Sequence, residues 1–160
     1  MTHTSVPQGP SPFAVAEDGP FLVALNTAVL VAKDVQDLLH DLHRLNEHER
    51  LFVCVDTFLT EAQAGGVGHF FWGECAALYD QVLLGLNEIG AQDVRDRLER
   101  YVSRVFGSEL PKTAESRQSA LQEMDEDEDH QAEHMVGPLA PCASQLAKWA
   151  RAHRQHFSPQ

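Results

Sequence analysis

The stretch EAQAGGVGHFFWGECAALYDQVLLGLNEIGA, residues 61–91, decides how the chain folds. It closes one apolar-periodic segment, turns at Gly65-Gly66, passes Phe70, Phe71 and Trp72, and continues as a second periodic segment to Gly90. Glycine reaches positive φ without steric cost, so a glycine pair after a helix reads as a sharp stop and a change of direction. Three large aromatics beside that turn predict a local core.

Upstream, Asn46-Glu47-His48-Glu49 has the form of a capping box. Leu51, Val55, Phe58, Leu59 and Ala62 then fall on one helical face. Further back, Phe21, Leu25, Ala28, Ala32, Val35, Leu39 and Leu42 recur at helical spacing after an Asp18/Pro20 start signal. They predict one long helix or two broken near Lys33-Asp34. Downstream of the turn, the stripe Cys75, Tyr79, Val82, Leu83, Leu86, Ile89 runs to Gly90. The next helix is predicted over 92–106, with Val94, Leu98, Tyr101, Val102 and Val105 inward, and is closed by Gly107 and Pro111. A weaker helix over 114–124 leads into an acidic loop at about 123–136. A last helix carries Cys142, Leu146, Trp149, Ala150, His153 and Phe157. No strand and no internal repeat stands out. The fold class expected is all-α, a single-domain bundle of about six to seven packed helices over residues 18–160. Residues 1–17, rich in Pro, Ser and Gly, are expected to form a mobile tail.

At 160 residues, 43% of them hydrophobic, the chain is long enough for one core. No run approaches the roughly 20 apolar residues that span a bilayer. The N-terminal sequence lacks the form of a signal peptide. Cys54, Cys75 and Cys142 are odd in number and unpaired in spacing, which favours reduced thiols in a cytoplasm. The formal charge of −12 is unevenly placed. Residues 34–91 hold ten acids against Arg44 and Arg50, and residues 121–135 hold seven acids and no base. Such a surface repels nucleic acid and anionic membrane and attracts a basic protein.

The candidate partner-binding acids are Asp34, Asp37, Asp41, Glu47, Glu49 and Asp56 in the first block. In the second they are Glu123, Asp125, Glu126, Asp127, Glu128, Asp129 and Glu133. Asp34, Asp37 and Asp41 are spaced i, i+3, i+7 and would line one helical face. Asp125, Asp127 and Asp129 copy the start of a calcium loop, but His130 stands where glycine is needed and Val136 where glutamate is needed, so that reading fails. His130-Gln-Ala-Glu133-His134 is a literal H-x-x-E-H, yet no acid follows it to complete a metal site. His40/His43 and His153/His156 read as surface residues near helix C-termini. Nothing points to a catalytic centre, a cofactor or a metal.

Residues 45–91 resemble a bacterial family, the DNA mimic protein nineteen-like family, whose core pattern reads roughly E-V-x-N-G-G-F-x-Q-[FY]-F and whose next helix ends A-L-x-x-I-G-A. Glu61, Gly65, Gly66, Phe70, Phe71, Ile89 and Gly90 match, and His69 occupies the Gln position. Ala64 and Val67 replace the pattern's Asn and Phe. The resemblance implies an all-helical, non-enzymatic acidic protein that occupies the DNA site of a basic regulator, with no direct contact to nucleic acid or membrane. The arrangement is compatible with a homodimer. The alternative is an immunity-type or regulatory module that docks through an apolar patch near Gly65–Trp72.

Overall fold

The computed structural model describes residues 9–157, and they form an all-α bundle. The helices are α1 (Asp18–Ala32), α2 (Leu38–Asp41), α3 (Glu47–Gly65), α4 (Val67–Trp72), α5 (Tyr79–Glu88), α6 (Gln92–Phe106), α7 (Ala114–Glu123), α8 (Glu126–Val136) and α9 (Ala140–Ala152). α2 is a single turn, so eight longer helices build the bundle where six to seven were expected. There is no strand among the described residues, and no helix among them is long and apolar enough to cross a membrane.

α3 is the central helix. Its capping box forms as the sequence requires: the Glu49 backbone N–H donates to Asn46 Oδ1 at 2.9 Å, and the Asn46 N–H donates to Glu49 Oε2 at 3.0 Å. The predicted stripe is buried, but so are Phe52, Val53 and Cys54, because α1, α4, α5 and α9 all pack around α3. Over Leu51–Val55, where α3 is covered on every side, every residue is apolar. The closest approach is at Gly85 of α5. A Cβ there would run into Val55 Cγ2 and lie 3.2 Å from the Leu51 carbonyl oxygen. The missing side chain is what lets α5 lie down on α3.

Two expectations are corrected and one alternative is decided. The first apolar stretch takes the broken form of the two expected, at Lys33-Asp34, where Asp34 takes φ +53° and the Val35 N–H reaches back to Leu30 O. Aspartate tolerates this left-handed conformation better than most residues. Second, within the expected mobile tail Pro12, Phe13 and Val15 are half-buried, while residues 1–8 lie outside the described residues. Pro12–Ala14 form a 3-10 turn capped by Ser11, and Phe13 lies 5.5 Å from Phe21 and 6.3 Å from Phe157 between ring centres. Third, the acidic segment 123–136 is no loop. Asp125 caps α8 through a second capping box with Glu128. Four carboxylates in the first turn suit the positive end of the helix dipole, which offsets their mutual repulsion.

Where the start of α3 meets the end of α9, His48 stacks on His156 at 3.8 Å and on Trp149 at 5.7 Å. Burial, with His156 and His153 close by, lowers the His48 pKa. His153 and His156 do lie at the C-terminal end of α9, as expected.

The Gly85 contact yields a direct test. Gly85→Ala should lower stability by about 1–3 kcal/mol in urea unfolding, because overpacking exceeds the gain in helix propensity. Val55→Ala introduced together with it should recover part of that loss, a coupling that a double-mutant cycle measures.

Candidate functional site

The turn quoted at the outset becomes a site because α4 is too short to look after itself. α3 ends at Gly65, and Gly66 takes φ +84° to reverse the chain. α4 then runs for only six residues. A helix leaves its first N–H groups and last C=O groups without internal partners, and in six residues these are most of the backbone. Both ends are satisfied by side chains from far along the chain. At the start, Glu133 of α8 accepts from the Val67 N–H at 2.8 Å and from the Gly68 N–H at 2.7 Å. A Cβ on Gly66 would sit 3.0 Å from that carboxylate. At the other end, the buried guanidinium of Arg117, from α7, donates to Phe71 O at 2.9 Å, Gly73 O at 3.0 Å and Pro111 O at 3.0 Å. Burial draws the Arg117 pKa below the usual arginine range. An anion thus holds the positive end of α4 and a cation its negative end, the favourable sense at both.

The family-motif residues gather here. Glu61 Oε2 lies 2.9 Å from His69 Nδ1, so the histidine that replaces the motif's glutamine ties the turn back to α3. Phe70 and Phe71 are fully buried, Phe70 edge-on to Phe58 at 5.2 Å and Phe71 stacked on Tyr101 at 5.5 Å. Trp72 departs from the expected core cluster and stays 41% exposed. Ile89 is buried and Gly90 ends α5 at φ +83°, away from the turn.

The candidate acids divide into internal and surface groups. Asp41 is buried. It accepts from the Gln36 and Asp37 N–H groups and lies 2.9 Å from His40 Nδ1. Those contacts, led by His40 with Arg44 nearby, lower its pKa to about 2. Glu49 is buried in the α3 capping box, with Lys33 Nζ at 3.6 Å. Asp56 is half-buried against Asn26, and burial pushes its pKa up to about 6. Glu133 is the α4 cap. Asp41 and Glu49 are thus withdrawn from the surface, and Asp56 and Glu133, both half-buried, carry structural contacts. The i, i+3, i+7 row is also undone: Asp34 lies outside any helix, Asp37 caps α2, and Asp41 turns inward. Asp34, Asp37 and Glu47 remain exposed near the start of α3, and Glu123 and Asp125–Asp129 near its end. Nineteen residues of α3 span about 28 Å, so the two acidic blocks occupy opposite ends of it.

Between the Gly65–Trp72 turn and the start of α8 lies a cleft of about 610 Å³. Trp72, Leu121 and Met124 line it, together with the carboxylates of Glu126, Asp129 and Glu133. The sequence marked the turn and the acidic run separately; Arg117 it did not mark at all. A lone arginine in a helix of low amphipathicity carries no signal that it is buried.

Comparison with known proteins identifies the family. Residues 43–153 match the family model described as DMP19-like protein, and the chain belongs to that family. No curated protein and no solved structure matches.

Arg117→Met should cost about 2–4 kcal/mol in chemical unfolding, since it strands buried carbonyls that lysine also cannot fork across. Asp56 gives a pH test. Its folded pKa of about 6 lies above the unfolded value of 3.8, so the folded state binds the extra proton, and the charge on Asp56 opposes folding above pH 6. Asp56→Asn should therefore be more stable than the parent by about 1–3 kcal/mol at pH 7.5, with the difference shrinking to nothing by about pH 4 in thermal melts.

Proposed function

We propose that this member of the DMP19-like family is a non-enzymatic acidic protein that occupies the DNA-binding surface of a basic regulator. The observation that carries this reading is the first turn of α8. Glu126, Asp127, Glu128 and Asp129 are all exposed there, on a helix fixed in place by its capping box. A helix rises about 1.5 Å per residue, so consecutive acids present about one charge per 1.5 Å of axis. Duplex DNA presents about one per 1.7 Å. A rigid acidic helix start therefore matches the charge density a DNA-binding groove is built to receive, over a short length. A flexible acidic loop would have to be ordered at binding, at a cost in entropy.

Several features favour binding over chemistry. Glu133 of the H-x-x-E-H run is engaged as a helix cap. The buried Cys54 and Cys142 thiols are pushed up to about 12 by desolvation, which removes the thiolate a nucleophile needs. In this reading the protein acts in the cytoplasm, beside its regulator, and needs no cofactor.

Capture on the immobilised protein from native lysate at low salt, followed by elution in salt steps, tests the reading. The expected outcome is a basic DNA-binding protein that duplex DNA displaces. With purified partner, affinity should fall at least about tenfold between 50 and 200 mM salt, because exposed charges are screened over a Debye length. A partner indifferent to both salt and DNA would instead favour apolar docking at the half-exposed Trp72, and Trp72→Ala would then abolish binding with the fold intact.

A further inference from the structure

The acidic cleft has features that a charged surface alone does not need. One wall is apolar: Trp72, Leu121 and Met124. His69 and four carboxylates of two kinds complete the lining, and Asp125 among them is committed to capping α8. Glu133 is committed to the α4 N–H groups, and its charge is spread over them. Glu126 and Asp129 are exposed at the start of α8 and make no side-chain hydrogen bond or ion pair with the described residues.

We infer that this cleft is the seat for an arginine side chain of the basic partner. The inference rests on the proposed function and names where on the surface the partner is read. A guanidinium is planar and carries five N–H donors, so it can stack on an indole face while donating to carboxylates. An ammonium is compact and strongly hydrated, and it gains less from the Trp72 wall. A neutral side chain leaves Glu126 and Asp129 uncompensated. In a DNA-binding protein such an arginine is the group that otherwise contacts a phosphate or a guanine edge.

The test uses the full chain and small probes: N-acetyl-arginine amide, the lysine amide, and the citrulline amide as a neutral isostere. Binding is read in solution NMR at the Trp72 indole and the Gly66 and Gly68 amides. Arginine amide should give saturable shifts at these positions, with citrulline amide giving none and lysine amide binding several-fold more weakly. The double variant E126Q/D129N should weaken arginine amide by about tenfold, because both carboxylates lose their charge and neither caps a helix. Equal response to citrulline amide, unsaturable shifts scattered over the surface, or indifference to E126Q/D129N would overturn the seat. Salt-sensitive, DNA-displaceable capture of a basic partner that survives E126Q/D129N would leave the proposed function standing and remove only the cleft from it.

Discussion

The structure depends on a six-residue helix that cannot stand alone. α4 has almost no internal hydrogen bonding to offer, and isolated helices of this length are unstable in water. It persists because Glu133 closes its start and Arg117 closes its end. Each contact is a hydrogen bond to a charged group in a partly or fully buried place, where such bonds are strongest and their loss most costly. Those two residues come from α8 and α7, so one short helix ties the α7–α8 region to the α3 core.

That tie explains why the acidic run is ordered. α8 must present Glu133 to α4, which sets where the first turn of α8 lies and fixes Asp125–Asp129 beside the motif turn. The charge that would otherwise favour an extended, solvated segment is absorbed in three ways: by the capping box, by the helix dipole and by the backbone N–H groups of α4. Structural need and surface charge are thus met by the same helix. Its inner residues Ala132 and Val136 bury against α6, and its first turn stays in solvent.

The same division runs through the other acidic block. Asp41 and Glu49 hold backbone and side-chain donors at the starts of α2 and α3, and Asp56 faces Asn26 beneath α1. Counting acids overstates the surface, because helix starts consume carboxylates.

What the sequence by itself determined is the class and the punctuation. Apolar recurrence at helical spacing, the Asn46–Glu49 capping box and the stops at Gly65-Gly66, Gly90 and Gly107 all act over a few residues, so local physics states them plainly. The helix Gln92–Phe106 and the motif turn were legible for that reason. The tertiary structure alone decided which charges are internal. Glu133 and Val67 are 66 residues apart, and Arg117 and Phe71 are 46 apart. No periodicity links such pairs, since only packing brings them within reach. It also decided that the acidic run is a helix. A row of like charges reads as solvated until a cap, a dipole and a neighbouring helix start are there to hold it.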